Sequence, residues 1–340
     1  LSISDVTVTI SVQRPTPILG GFGKPLILGA STAGQAFKNY ADLDAVRTDY
    51  PSATEEYKAA AALFGQRNAP AEVAIACRRT GTDPEALADY VPQLLQRDWH
   101  FLIATTATIA DQILIADAVE ADRTRQYLTR TSSKADLAEI KAKGYERTAV
   151  LYHPTVTNYP DAAWVGAVGS LPPGSPTWKG WTLFGIAPLD LDATELNEIH
   201  ALGGNAYVTK AGVNVTSDGR AVSGEFIDLV HSQDYIVQSI KFGIQDLFNR
   251  AQDTNTKISY DNTGIAQLES VVRTVLQRAY INGMIADGED GVPLYSTTFP
   301  PRSAVDPAEI AARNYPDGQF EFVLAGAIHS AAIRGVIKFA

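Results

Sequence analysis

Five short apolar runs constrain this chain more than any other feature, because none is long enough for a buried helix and all are separated by stretches with helical signals. They lie at residues 26–28, 73–76, 101–104, 127–129 and 149–152. Strand alternating with helix in this way is the mark of an α/β layer with a largely parallel sheet. The intervening helices have readable ends. Ser52-x-x-Glu55 and Ser133-x-x-Asp136 resemble capping boxes, and Asp83-Pro84 places a cap before a proline at the first helical position. Gly65 and Gly144 supply stops.

The second half reads differently. Leu171-Pro-Pro-Gly-Ser-Pro176 packs three prolines and a glycine into six positions, which no helix interior or central strand tolerates, so a domain boundary is expected there. Beyond it the pattern predicts a strand at Trp181–Ile186, a helix capped by Asp192-x-x-Glu195 and stopped at Gly203-Gly204, a strand at Ala206–Thr209, and a hairpin turning at Ser217-Asp218-Gly219. Two long amphipathic helices follow, carrying Ile236, Ile240, Ile244, Leu247 and Phe248 on one and Ile265, Leu268, Val272, Val275 and Leu276 on the other. A loop rich in Gly, Pro and Asp runs from Asp287 to Arg302, before a strand at Phe320–Leu324.

Both chain ends are strand-like. Val6, Val8, Ile10 and Val12 alternate with Asp5, Thr7, Thr9, Ser11 and Gln13, the period-2 signature of a half-buried strand. Arg14-Pro-Thr-Pro17 then enforces extended backbone and interrupts any ladder, so this strand is set off from the body by a stiff spacer. At the other end Ile333, Gly335, Ile337 and Phe339 alternate with Arg334, Val336 and Lys338. The expected organisation is an arm over 1–17, an α/β domain over 18–172, an α+β domain over 173–327 and a second arm over 328–340. A length of 340 residues fits two domains.

Composition narrows the function. The chain is 45% hydrophobic and only 19% charged, which leaves surface to face partners. A net charge of -10 argues against a nucleic-acid or anionic-membrane surface, both of which want clustered Lys and Arg. The acidic excess sits in the second half: residues 1–177 carry 16 Lys and Arg against 19 Asp and Glu, residues 178–340 carry 12 against 19. Cys77 lies in an apolar run and reads as a small core residue. No stretch approaches the ~20 apolar residues of a membrane span and no signal-peptide pattern precedes the first strand, so synthesis in a reducing cytoplasm is expected.

The motifs of chemistry are weak. Gly29-Ala-Ser-Thr-Ala-Gly34 follows a strand, where a glycine-rich turn can present N–H groups to phosphate, but it lacks the Lys-Ser/Thr of a P-loop and the spacing of a dinucleotide fingerprint. Gly20-Gly-Phe-Gly-Lys24 runs into Pro25, which removes a donor where a cradle needs one. His100, His153, His200, His231 and His329 are far apart in sequence and form no short-spaced ligand pair. Asp287-Gly-Glu-Asp-Gly291 departs from an EF-hand loop and reads as a solvated turn. No Gly-x-Ser-x-Gly elbow occurs, although a triad assembled from distant residues has no sequence signature to search for. No cofactor and no metal are expected, and the chain reads as a non-enzyme.

Several stretches of the second half resemble the tail sheath proteins of contractile bacteriophages, a family that includes the sheaths of R-type bacteriocins and related injection machines. The resemblance is carried by Gly224-Glu225-Phe226-Ile227-Asp228, six residues before Asp234-Tyr-Ile, and by Lys257-Ile258-Ser-Tyr260-Asp-Asn-Thr-Gly264-Ile265 with the helix ending at Gly283. Pro173-Gly-Ser-Pro-Thr-Trp-Lys179 also fits. Tyr235 stands where the family often has tryptophan, and the chain is short, with no room for a large outward-facing insertion.

The resemblance implies a structural subunit that polymerises into a helical tube around an inner tail tube protein and contracts without a nucleotide. Its implied partners are copies of itself, the tube, and baseplate and terminator proteins, in a virion tail assembled in the bacterial cytoplasm. It further implies that residues 173–327 form the core domain, whose small sheet accepts strands from neighbours: Val6, Val8, Ile10 and Val12 from one, and Ile333, Ile337 and Phe339 from another. Two readings stay beside it: a soluble α/β enzyme binding a nucleotide at Gly29–Gly34, and a tail tube or baseplate subunit.

Overall fold

The computed structural model describes residues 22–331. Its centre is an eight-stranded sheet. The elements run β1 (Pro25–Ser31), β2 (Gln35–Tyr40), α1 (Leu43–Asp49), α2 (Glu55–Phe64), β3 (Val73–Arg79), α3 (Leu87–Leu94), β4 (Phe101–Ala104), α4 (Ile109–Asp122), β5 (Gln126–Thr131), α5 (Lys134–Lys141), β6 (Thr148–Tyr152), α6 (Pro160–Val168), α7 (Ala193–Ala201), β7 (Gly204–Lys210) and β8 (Val213–Thr216). The strand order is β2-β3-β1-β4-β5-β6-β7-β8. Six neighbouring strands are parallel, and β2 and β8 close the edges antiparallel.

All five predicted strands are present, and their unbroken apolar character follows from burial on both faces. Ile27, Ile75, Ile103, Leu128 and Leu151 point to the layer that holds α2, α6, Trp164 and Trp178. Leu26, Leu28, Leu102, Tyr127 and Val150 point to the opposite layer, built from α3, α4, α5 and α7. Cys77 is buried in the first layer, with Sγ 3.6 Å from the Tyr50 hydroxyl. Burial pushes its thiol up to about 12, so it is an inert core residue at neutral pH.

Several local expectations are corrected. The cap of α2 is Thr54, whose hydroxyl accepts from Tyr57 N–H, and not Ser52. Asp83-Pro84 does not open a helix: Asp83 has φ +59°, Glu85 folds back to accept from Arg79 N–H at 2.8 Å, and α3 begins at Leu87. Strand β2 had no recognisable alternation, since Ala36, Lys38 and Asn39 are exposed on an edge. Ser133 caps α5, and Asp192 with Glu195 forms a reciprocal capping box on α7, both as read from the sequence.

The segment Trp181–Ile186 is not a strand. Leu183 N–H donates to the Tyr207 hydroxyl and Phe184 N–H to Gln66 Oε1, so side chains take the place of a ladder partner. The hairpin turns at Ala211-Gly212, both with positive φ (50° and 80°), in the two-residue geometry that matches strand twist. Ser217 and Gly219 are held elsewhere, Ser217 N–H by the Ala206 carbonyl and Gly219 N–H by Asn205 Oδ1.

The proline-rich segment 171–176 does not end the sheet. Strand β6 pairs in parallel with β7 through Val150–Gly204, Leu151–Asn205 and Tyr152–Ala206, so two strands of the second half belong to the first unit. The character changes at Ile227 instead. From there α8 (Ile227–Asp253), α9 (Asn262–Ile281), β9 (Tyr295–Thr298), α10 (Pro307–Ala312) and β10 (Gln319–Phe322) build a smaller unit around Ile236, Ile240, Val272, Leu276, Met284 and Ile285. The predicted terminal strands, with Val6, Val8, Ile10, Val12, Ile333, Ile337 and Phe339, lie outside the described residues.

Helices α2 and α6 approach closely because Gly166 has no side chain: a Cβ there would run into the Leu63 carbonyl, a backbone atom that cannot step aside. Gly166→Ala is therefore expected to cost about 2 kcal/mol of unfolding free energy, read as a lowered denaturant midpoint with an unchanged slope.

Candidate assembly site

The glycine turn is the first place to look for chemistry. Gly29 lies inside β1, where a Cβ would strike the Glu56 carboxylate and Cys77 Sγ, so its role is close packing of α2 on the strand. Gly34, with φ +71°, closes a turn in which its N–H donates to Ser31 O at 3.2 Å, and the chain continues into β2. The turn leads to an edge strand and presents no helix N-terminus to a phosphate. In doubly wound sheets ligands bind where strand order reverses, which here is the crevice beyond the ends of β1 and β4. Arg130 fills it. Its guanidinium donates to the carbonyls of Ala104, Thr105 and Val156 and to Asp161 Oδ2, and lies 3.9 Å from the centroid of Tyr159. Tyr159 in turn donates to Glu55.

The residues carrying the family resemblance gather in two other places. The first is the end of the sheet at which β6 begins, where Val222 N–H donates to Thr148 O. Gly224, at φ +107°, completes a turn in which Ala221 N–H donates to Glu225 O, and Phe226 pairs back on Arg220 before α8 starts. The Arg220 guanidinium covers the Phe226 ring at 3.9 Å. Asp228, in the first turn of α8, is largely buried with no partner for Oδ1 among the described residues, and burial pushes its carboxyl up to about 6. One and a half turns on, Asp234 accepts two hydrogen bonds from Arg147, at 2.7 Å and 2.9 Å. Burial nevertheless pushes Asp234 up to about 6, against the pull of Arg147.

Between them His231 reaches the ends of the parallel strands. Its ring stacks on Phe22 at 5.0 Å and sits 5.1 Å from both Phe101 and His100. His100 and His231 were unrelated in sequence, and only the fold brings them together. Both are held neutral well below the ordinary imidazole range, His231 at about 3, because burial penalises the charged form. Neither His100 Nε2 nor His231 Nε2 has a hydrogen-bond partner among the described residues. Arg147 was not singled out from sequence, since it sits in no motif.

The second place is the smaller unit. Asp261 caps α9 by accepting from Gly264 N–H at 2.9 Å, and a Cβ on Gly264 would collide with the Ser259 carbonyl. Lys257 and Ile258 lie in the connection before it, Ile265 is buried in the first turn, and Tyr260 donates to Asn314 O at 2.7 Å, tying this connection to the chain ahead of β10. Gly283 ends α9 with φ +79°. Strands β9 and β10 then form a two-stranded antiparallel sheet, Gln319 opposite Thr298 through Phe322 opposite Tyr295. Phe320 and Phe322 face the helices, while Gln319, Glu321, Ser296 and Thr298 face out.

Two strands are too few to be stable alone, and among the described residues neither β9 nor β10 has a second partner strand. An apolar cavity of about 460 Å³ opens between α8, α9 and this sheet, lined by Ile240, Ile244, Leu268, Phe299 and Phe320. Exposed edge groups beside unfilled apolar space are the features that receive an added strand. Among the described residues no group of three or more His, Cys, Asp or Glu is placed to hold a metal ion, and no helix is long and apolar enough to cross a membrane.

Removing Asp234 strands Arg147 in a buried place. Asp234→Ala is expected to cost about 3 kcal/mol, measured by denaturant unfolding. At His231 the native state resists protonation from about pH 6.5 down to about 3, so stability present above 6.5 is lost as pH falls through that window. His231→Gln abolishes this loss. Between pH 7 and pH 5 the variant should therefore gain about 2 kcal/mol relative to the parent, seen as a smaller fall, or a rise, in melting temperature.

No family model matches the chain, and no curated protein matches it in sequence. Solved structures do. A chain of the anti-feeding prophage baseplate superposes with a TM-score of 0.66 at 13% identity, covering 99% of both chains. A chain of the anti-feeding prophage helical sheath in its contracted state gives 0.61 at 13% identity, again over 99% of both. A sheath tail protein from Listeria innocua gives 0.57 at 11% identity over 82% of this chain and 89% of that one. The likeness runs through both units, and the chain has the fold shared by these sheath and baseplate chains.

Proposed function

We propose that this chain is a structural subunit of a contractile tail sheath, a helical polymer of its own copies around an inner tail tube. One observation carries the reading: the similarity to a helical sheath chain extends over 99% of both chains, so it embraces the small unit and not only the common α/β layer. The incomplete β9–β10 sheet supports it further. In this reading the sheet receives the strand of Val6, Val8, Ile10 and Val12 from one neighbour and that of Ile333, Ile337 and Phe339 from another. Main-chain ladders then hold the subunits together while alternate apolar side chains fill the space above α8 and α9.

Such links tolerate rotation of the bodies they join. Contraction needs no nucleotide if the extended lattice is metastable and the contracted one buries more surface. The glycine turn Gly29–Gly34 runs into the edge strand β2 and presents no helix N-terminus to a phosphate, which weighs against the enzyme reading. A second reading has its own support: the highest of the three TM-scores quoted is to a baseplate chain, so a ring seated on a baseplate is the alternative to a long sheath.

Negative-stain microscopy of the purified chain distinguishes them. Long hollow tubes are expected of a sheath, and isolated rings would favour the baseplate subunit. Deleting residues 1–13 should leave a monomer with the parental melting transition that forms no tubes. Tubes assembled by the deleted chain would remove the N-terminal strand from the account.

A further inference from the structure

The chain leaves the small sheet at Ala325, whose N–H donates to Met284 O at 2.9 Å. Residues 326–328 are exposed, Ile328 at 90%. His329 then turns inward onto the large unit. Its Nε2 lies 2.8 Å from Thr177 Oγ1, its carbonyl accepts from Lys179 Nζ at 2.8 Å, and its ring meets Phe226 edge-on at 4.6 Å. Thr177 and Lys179 belong to the segment laid along the end of β8, where Gly180 N–H donates to Thr216 O and Trp181 Nε1 donates to Thr177 O. One imidazole thus straps an otherwise exposed segment across from one unit to the other.

The contact is selective and weak. Nδ1 is buried with no partner among the described residues, and the bonds to Thr177 and Lys179 are single and partly exposed. Burial, with Lys179 beside it and Arg220 beyond, holds the ring below the ordinary imidazole range, opposed by Asp218, so it docks as the neutral form. Nothing else in residues 326–331 anchors the chain as deeply. A contact this small can open without unfolding either unit.

We propose that His329 is a pin fixing where residues 332–340 leave the body: they start from the large unit, beside Thr177 and Lys179, and not from the small sheet, and are delivered from there to a second copy of the chain. Delivery to a second copy rests on the sheath reading; the pin itself does not. It also assigns a role to Thr177 and Lys179, in the stretch Pro173–Lys179, beyond shaping a turn. His329 is here a positioning residue.

Spin labelling on the full chain tests it: a nitroxide at Ser330→Cys, an exposed position, is compared in the parent, a Thr177→Val/Lys179→Met double variant and Thr177→Ser, with Cys77 buried away from the reagent. The double variant should keep the parental melting transition while the rotational correlation time of the label falls at least ~3-fold; Thr177→Ser should retain the parental value. Polymerisation followed by light scattering should start later in the double variant and normally in Thr177→Ser. Unchanged label motion in the double variant overturns the pin, whether or not the chain polymerises. Faster label motion with parental polymerisation overturns its role in delivery. A parent that never polymerises would sink the sheath reading, and label motion alone would then decide the pin.

Discussion

The paired hydrogen bonds from Arg147 to Asp234 join the two halves of this molecule. Arg147 stands immediately before β6, and Asp234 lies in the second turn of α8, so the pair ties the long helix to the end of the sheet at which β6 begins. Around it Phe22, His100, Phe101 and His231 exclude water. A buried pair of this kind adds little stability over an apolar substitute, but breaking it leaves an unpaired charge. Its value is geometric. It permits one orientation of α8, and everything after residue 227 inherits that orientation.

The two units differ in how completely they satisfy themselves. In the large unit the sheet is covered on both faces, its edge strands run antiparallel, and the buried Arg130 is satisfied by Asp161 and by carbonyls at the end of β4. The small unit is unfinished: two strands rest on two helices above an apolar cavity. A rigid body carrying an incomplete sheet is what strand exchange between copies demands, since the body keeps its shape while the sheet gains strands. On the proposed reading, stability is spent in the large unit and withheld in the small one, where partners supply the remainder.

Sequence reasoning located the parallel strands well, because residues buried on both faces must be apolar at consecutive positions and little else produces such runs. It also found the long helices and the caps at Ser133 and Asp192. It failed where side chains stood in for backbone. Leu183 and Phe184 looked like a strand, but their N–H groups go to Tyr207 and Gln66. Strand β2 escaped notice because an exposed edge strand carries no apolar pattern. The prolines of 171–176 marked a break in regular structure, yet a break in the chain's rhythm is not a break in the sheet, and β7 returned to pair with β6.

By itself, then, the amino-acid order determined local matters: which segments extend, which coil and where helices start. These depend on neighbours a few residues apart. The meeting of His100 with His231, of Arg147 with Asp234, of Arg130 with Asp161, and of His329 with Thr177 was decided only by tertiary structure. Each joins residues from 31 to 152 positions apart. Such contacts follow from strand order and helix docking, which are properties of the whole packed chain and have no period to be read along it.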